Sequence, residues 1–213
     1  MGSEYDTTAA IGYLRHAEIK HGRVAMAAFV GFVVQSNFHW PWALTTSGIT
    51  HADIAAAGGP AAQWDALPTP AKLQILGLIF LLEVWGESKS NLAACGEKHY
   101  MRGGKPGFYP DFTPFTETVH PLPFKSLFDP FNLQAKMTPE QKSKSLLAEI
   151  NNGRLAMIGI MGMASASKGL IVPGLDSIAG ITPYAGEYMA PFAASDNLPF
   201  VSDMLAKVGT YGY

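Results

Sequence analysis

Two copies of a nine-residue motif contain the side chains best suited to chemistry in this sequence. Residues 18–26 read Glu-Ile-Lys-His-Gly-Arg-Val-Ala-Met and residues 149–157 read Glu-Ile-Asn-Asn-Gly-Arg-Leu-Ala-Met, identical at six of nine positions. Each copy offers a carboxylate and, three residues later and about 60° round the same helix face, a second Lewis base. Carboxylate, imidazole and amide groups can each fill an axial position on a metal held in a macrocycle, and a hard Mg²⁺ favours the oxygen donors. The donors are Glu18 with His21, and Glu149 with Asn152.

Each copy also carries an arginine five residues after its glutamate, Arg23 and Arg154. This spacing turns the arginine about 140° away from its own glutamate, whereas side chains that pair along one helix lie three or four residues apart. Each glutamate therefore needs a partner on another element. If the two helices cross at the repeat with twofold symmetry, Arg154 meets Glu18. The same symmetry brings Arg23 to Glu149, so the repeat predicts two reciprocal ion pairs.

Small residues accompany these charges. Gly22 and Ala25 in the first copy, and Gly153 and Ala156 in the second, allow two helix backbones to approach closely, as membrane helix pairs prefer. The alternative is a surface helix pair with ordinary solvated charges. A repeat of two copies, 131 residues apart, is too short for a solenoid and favours a pseudo-twofold pair of helices.

Three long helices are predicted to position the repeat, over residues 8–35, 70–89 and 138–168. The second starts with an N-cap threonine followed by proline, and the third with a capping box and a glycine just past its end. A short helical turn is predicted over 50–57, where threonine and aspartate are spaced for capping, and an amphipathic helix over 200–208. A proline-rich connection over 101–131 is predicted to be extended.

The composition limits the class of protein. Of the 213 residues, 48% are hydrophobic and only 15% charged, against roughly 25% charged in soluble domains. A net charge of −2 excludes an ordinary nucleic-acid binder, because neutralising phosphates needs a clustered excess of lysine and arginine. The single cysteine, Cys95, excludes an internal disulfide and a cysteine-cluster metal site. The composition therefore leaves two classes of protein, an apolar soluble helical protein and a membrane protein.

The distribution of apolar residues along the chain bears on the choice between these two classes. No segment has 18 consecutive apolar residues, because charged residues interrupt each long helix. This favours the buried helices of a soluble protein, and a soluble helical enzyme or transporter is the alternative from a different class. The sequence contains no phosphate-binding glycine loop, His-Glu-x-x-His motif or nucleophile elbow, so it offers no motif for an enzyme.

The two motifs on long helices resemble the light-harvesting chlorophyll-binding antenna superfamily, whose first and third transmembrane helices carry Glu-x-x-His/Asn-Gly-Arg-x-Ala-Met. Residues 99–107, 128–131 and 186–192 are similar to its red-lineage branch, the chlorophyll a/c antennae of the fucoxanthin or peridinin type and the red-algal photosystem I type. The resemblance covers nearly the whole chain. It implies an all-α membrane protein forming a single domain over 1–213. Three transmembrane helices are implied, the first and third crossing as a pseudo-twofold pair, with short amphipathic helices besides.

The resemblance also implies which residues hold pigment. Arg23 and Arg154 would neutralise two of the glutamates, and the axial ligands of chlorophyll magnesium would be Glu18, His21, Gln74, Glu83, Glu149 and Asn152. Green-lineage relatives have an arginine three residues after the middle-helix glutamate. This chain has Gly86 there and Glu87 next, so Glu83 lacks that cation, and the choice between Glu83 and Glu87 stays open.

Two further ligand positions depart from the family pattern, one near the end of the third helix and one in the C-terminal segment, which contains no histidine. Residues 164–167 read Ala-Ser-Ala-Ser where many relatives have glutamine or histidine. His39 could ligate a pigment near the end of the first helix, although an interfacial aromatic belt with Trp40 and Trp42 is the favoured interpretation.

The function implied is light harvesting without enzymatic chemistry, with excitation energy passing to a photosystem, for which photosystem I is favoured. A photoprotective, energy-dissipating member of the superfamily is the alternative. The implied cofactors are chlorophyll a, chlorophyll c and carotenoids of the fucoxanthin, peridinin or diadinoxanthin type. The implied partners are thylakoid lipids, the photosystem core and neighbouring antenna subunits, with no nucleic acid. The expected location is the plastid thylakoid membrane, as an integral multi-pass protein.

Overall fold

The computed structural model describes residues 7–112, 129, 131, 133–169, 184–188 and 190–210. Within these ranges the regular structure is helical without strands, and an isolated antiparallel bridge joins Ala43 to Thr50. The α-helices are α1 (Thr7–Asn37), α2 (His51–Ala55), α3 (Pro60–Ala66), α4 (Thr69–Glu87), α5 (Lys89–Ala94), α6 (Pro139–Ser167) and α7 (Val201–Thr210). The all-α prediction is confirmed for this part of the chain. Most of the predicted connection over 101–131 lies outside the described residues.

The three long helices α1, α4 and α6 begin and end within two residues of their predicted bounds. Capping explains this agreement for α6. The Thr138 N–H donates to Oε1 of Gln141 at 2.9 Å, and the Gln141 N–H donates to Oγ1 of Thr138 at 3.3 Å. Gly169 follows the helix at φ +78°, a left-handed conformation that glycine adopts without steric cost.

The short helices were only partly predictable. Thr50 and Asp53 form the expected reciprocal capping box at the start of α2, and α7 lies close to the predicted amphipathic segment. The sequence analysis did not identify α3 or α5. In α3 the usable signal was Pro60 at the first helical position, whereas α5 starts at Ser88 without a side-chain capping hydrogen bond.

The chain divides into two compact units whose boundaries fall within the long helices. Unit 1 consists of Met1–Met26 and Leu78–Met157, and unit 2 of Ala27–Gly77 and Ile158–Tyr213. The nine-residue repeat belongs entirely to unit 1. That the chain forms one pigment-binding domain over 1–213 remains a prediction.

Many large apolar side chains on the long helices are exposed. Examples are Leu78, Phe80 and Leu81 on α4 and Ile158 on α6, each more than half exposed. Exposed apolar area of this extent indicates contact with lipid, ligands or other subunits. Among the described residues, α4 alone combines the length and apolar composition that crossing a membrane requires.

A buried ion pair in unit 2 joins α4 to the segment before α7. The Lys72 side chain is fully buried, and its Nζ lies 2.7 Å from Oδ2 of Asp196 and 3.0 Å from the Asp65 carbonyl oxygen. Thr69 donates a hydrogen bond of 2.6 Å to Oδ1 of Asp196. Burial by itself raises the pKa of Asp196, but the hydrogen bonds from Lys72 and Thr69 outweigh it and hold that pKa below its ordinary value. The pair therefore stabilises the ionised carboxylate.

Replacing Lys72 with methionine is expected to destabilise unit 2 by about 3–5 kcal/mol, because it leaves the buried Asp196 carboxylate without its cation. The double variant Lys72→Met/Asp196→Asn removes both charges and is expected to recover much of the loss. In the unaltered protein the contribution is present above the ordinary carboxyl pKa and is lost as the pH falls through the lowered pKa. Thermal unfolding followed by circular dichroism at neutral and acid pH measures both effects. A double variant less stable than Lys72→Met would contradict this account.

Candidate functional site

The repeat forms a close helix crossing in unit 1. Gly22 of α1 and Gly153 of α6 are both buried. A Cβ atom added to Gly22 would lie 3.0 Å from the Gly153 Cα, and one added to Gly153 would lie 2.9 Å from the Gly22 Cα. The two backbones are therefore in direct contact, as the small residues of the motif predicted.

Both predicted interhelical ion pairs are present at this crossing. Nε and Nη2 of Arg154 lie 2.7 and 2.6 Å from Oε1 of Glu18. Nε of Arg23 lies 2.7 Å from Oε1 of Glu149, and its Nη1 donates to the Gly107 carbonyl oxygen at 2.8 Å. In each pair the arginine contacts one carboxylate oxygen. Among the described residues no group donates a hydrogen bond to Oε2 of either glutamate, so each retains a donor atom for a ligand.

His21 is held in the orientation that a metal ligand needs. Its Nδ1 lies 2.7 Å from the Ala17 carbonyl oxygen, and because a carbonyl only accepts, Nδ1 carries the proton. The neutral ring then keeps its lone pair on Nε2. The side chain is exposed on α1, and metal-binding histidines commonly donate their other nitrogen to a backbone carbonyl in this way.

The equivalent residue in the second copy, Asn152, is also exposed. Its side chain makes no hydrogen bond to another described residue. Its amide oxygen can therefore serve as a donor without the loss of an intrachain contact.

The middle helix α4 receives a cation from another helix. Lys20 of α1 forms an ion pair with Oε2 of Glu83, and its Nζ lies 3.7 Å from Oε1 of Glu87. The sequence-based expectation considered only an arginine three residues later on α4, and that position is Gly86. The sequence analysis did not identify this contact, although Lys20 is the one charge of the first motif to which it gave no partner.

Glu87 lies in a separate hydrogen-bonded cluster. His99 Nε2 lies 2.7 Å from its Oε2, and the Tyr100 hydroxyl donates to both carboxylate oxygens at 3.1 and 3.2 Å. Burial, with the adjacent Glu87 carboxylate, raises the pKa of Tyr100 to about 12. The Tyr100 ring also stacks on His16 at 3.8 Å between centroids, and His16 Nδ1 accepts a hydrogen bond from the Gly107 N–H. Both oxygens of Glu87 are thus engaged by neighbouring side chains.

Gln74, the remaining predicted ligand, lies in unit 2, as do His39 and the stretch 164–167. Gln74 is exposed on α4. His39 is exposed as well, and it adjoins Trp40 and Trp42, whose rings stack at 4.5 Å. Ser167 donates a hydrogen bond to the Ala164 carbonyl oxygen and shares another with the Tyr188 hydroxyl. Its hydroxyl is therefore already used within the protein.

A family model described as chlorophyll A-B binding protein matches residues 2–168. Fucoxanthin-chlorophyll a-c binding protein F, chloroplastic, of Macrocystis pyrifera is 31% identical over 152 residues, which cover 70% of this chain and 58% of the relative. Protein D of the same organism is 31% identical over 152 residues, covering 70% and 68%.

A third relative, the fucoxanthin-chlorophyll a-c binding protein, chloroplastic, of Trieres chinensis, is 31% identical over 155 residues, covering 70% of this chain and 62% of the relative. The chain thus spans 58% to 68% of the length of these curated relatives.

Proposed function

The chain belongs to the chlorophyll A-B binding protein family, and from that premise we propose that it is a light-harvesting antenna protein. It holds chlorophylls and carotenoids and passes excitation energy to a photosystem, with no bond chemistry of its own. One observation carries this proposal: two reciprocal ion pairs at a glycine crossing leave an acceptor oxygen on Glu18 and on Glu149. Three residues after each glutamate lies a second side chain that can coordinate a metal, His21 after Glu18 and Asn152 after Glu149.

The donor atoms are suited to chlorophyll magnesium. Glutamate and amide oxygens and a neutral imidazole each supply one axial bond, the macrocycle supplying the others. Bound chlorophyll provides the absorption of visible light and the excited state that is transferred. The proposed ligands are Glu18, His21, Gln74, Glu83, Glu149 and Asn152.

Arg23 and Arg154 allow two of these carboxylates to serve as ligands inside a membrane. An isolated charge in the hydrocarbon region is costly, and pairing with arginine offsets that cost while Oε2 stays available. The two ion pairs also join α1 to α6, so the same contacts support the helix pair and set the directions of its ligands.

We propose that α1, α4 and α6 cross the plastid thylakoid membrane. Their 31, 19 and 29 residues correspond to about 46, 28 and 43 Å of helix, near or above the roughly 30 Å of a bilayer core. The exposed apolar side chains on these helices support the assignment, and the curated relatives are named chloroplastic. The amphipathic helix α7 would lie in the membrane interface.

The pigments we propose are chlorophyll a, chlorophyll c and a fucoxanthin-type carotenoid. The names of the relatives specify fucoxanthin and chlorophyll a-c, which favours fucoxanthin over the peridinin alternative. We propose that photosystem I receives the excitation energy. This proposal rests on the resemblance of residues 99–107 and 186–192 to the red-lineage antennae.

Refolding the chain in detergent with chlorophyll a, chlorophyll c and fucoxanthin tests the proposal. The expected product is a monodisperse pigment-protein complex, and excitation of fucoxanthin should produce chlorophyll a fluorescence. Chromatography of the extracted pigments gives their stoichiometry. A nanosecond-scale fluorescence lifetime would support energy transfer as the main role, and a strongly shortened one would support dissipation. A folded chain that retains no pigment would contradict the proposal.

A further inference from the structure

We propose that Lys20 of α1 is the positioning residue that makes Glu83, and not Glu87, the chlorophyll ligand of the middle helix. This inference rests on the proposed antenna function. It explains how the chain manages without the arginine that green-lineage relatives have on that helix.

The first support is the contact itself. Lys20 pairs with Oε2 of Glu83, which leaves Oε1 without a hydrogen-bond donor among the described residues. The contact of Arg154 with Glu18 is of the same kind, because a cation from another helix binds one carboxylate oxygen and leaves the other available to a ligand. Glu83 thus has the charge state and the spare oxygen of the two ligands proposed at the crossing.

The second support is the different condition of Glu87. Its Oε2 is 2.7 Å from His99 Nε2, and both oxygens accept hydrogen bonds from the Tyr100 hydroxyl. Coordination by Glu87 would break at least part of this cluster. Coordination by Glu83 breaks no contact between described residues.

The third support is the crowding at position 86, where the green-lineage arginine would stand. A Cβ atom added to Gly86 would lie 3.0 Å from the Tyr109 ring, and the Tyr109 hydroxyl donates to the Leu82 carbonyl oxygen at 2.9 Å. The ring of Tyr109 thus packs where a side chain at 86 would begin. The cation comes instead from a neighbouring helix, since Lys20 of α1 reaches Glu83.

The surroundings of Glu83 also provide room for a large ring. An open groove of about 460 Å³ is lined by Phe80, Glu83, Val84, Glu87 and Ser88. Phe80 and Val84 are each more than half exposed. Both residues line this groove together with Glu83 and present the apolar surface that a chlorin ring would cover.

The test is to refold Lys20→Met with the pigment mixture and count chlorophylls per chain. The expected loss is one chlorophyll, with a matching change in the Qy absorption band. Glu83→Leu should lose the same band, and Lys20→Arg should retain it, since arginine also supplies a cation. Lys89→Met is the matched control, because Lys89 is an exposed lysine one residue beyond the N-cap of α5, and it should keep full occupancy.

The double variant Lys20→Met/Glu83→Gln separates charge from structure. A glutamine oxygen is a neutral donor that needs no cation, so this variant is expected to regain the chlorophyll that Lys20→Met loses. Failure to regain it would overturn the neutralising role. Full occupancy in Lys20→Met, or in Glu83→Leu, would overturn the assignment of Lys20 or of Glu83 respectively.

A measurement without pigment distinguishes this inference from the proposed function. In the pigment-free chain in detergent, Lys20→Met and Glu83→Gln are expected to lower the unfolding midpoint by amounts that do not add, because both break one ion pair. Additive shifts would overturn the pairing. A wild-type chain that takes up no chlorophyll would overturn the proposed function and the ligand role of Glu83. The comparison of the single and double variants without pigment would still show whether Lys20 and Glu83 form an ion pair.

Discussion

Substituting alanine for Gly153 is expected to force α1 and α6 apart and to prevent stable assembly with pigment. The new Cβ would lie 2.9 Å from the Gly22 Cα and 3.4 Å from its carbonyl carbon. These are backbone atoms, which cannot rotate away as a flexible side chain can, so the helices must shift. Overpacking of this kind costs about 1–3 kcal/mol, and the shift also lengthens both ion pairs at the crossing. The refolded complex should show a lower thermal midpoint by circular dichroism and fewer chlorophylls per chain.

Gly162→Ala is the matched control, since it lies nine residues further along α6 and an added Cβ meets no atom within 4 Å. Alanine is favoured over glycine in a helix by roughly 1 kcal/mol, so this variant should be at least as stable as the wild type. If Gly153→Ala and Gly162→Ala behaved alike, contact between the two backbones would not limit the crossing.

The helix crossing could be predicted because the repeat supplies its own symmetry. Glu18 and Arg154 stand in different copies of one pattern, and in each copy the glutamate and the arginine are too far round the helix to pair with each other. A twofold axis satisfies both pairs at once. The bounds of α6 were predictable for a local reason, namely the Thr138 capping box and the Gly169 terminus, which depend on neighbours in sequence.

The Lys20–Glu83 pair was not predictable in the same way, because it has no symmetric counterpart. The second copy of the motif has Asn151 where the first has Lys20. The symmetry that placed the arginines therefore says nothing about this lysine. Its partner is 63 residues away, on a helix whose rotation the sequence pattern does not define.

The same limit explains the Lys72–Asp196 pair. The two residues are 124 positions apart, and a lysine near the start of an apolar helix is usually assigned to a solvated end. Its complete burial follows from how the segment before α7 packs on α4. Burial of a polar group thus depends on tertiary contacts that no local pattern records.

Arg154→Leu is the change with the most specific expected effect on pigment binding. It leaves Glu18 without its arginine on a helix that we propose to cross the membrane, where an unpaired carboxylate becomes protonated or draws in water. A protonated carboxyl is a poor magnesium ligand. The expected result is loss of the chlorophyll at Glu18, with lower stability of the complex. Pigment chromatography and the difference absorption spectrum measure the loss, and thermal denaturation measures the stability.

The variants that accompany Arg154→Leu separate charge neutralisation from packing. Arg102→Leu removes an exposed arginine outside the two motifs that forms no ion pair with another described residue, and it should keep every chlorophyll. The double variant Arg154→Leu/Glu18→Gln replaces the unpaired carboxylate with a neutral amide, and it should regain the pigment while remaining less stable, because the contact between the helices is still lost. Recovery of pigment without recovery of stability would show that Arg154 acts on Glu18 through charge and on the helix pair through its hydrogen bonds. Full occupancy in Arg154→Leu alone would show that Glu18 needs no cation, and the ion-pair explanation of the repeat would then be wrong.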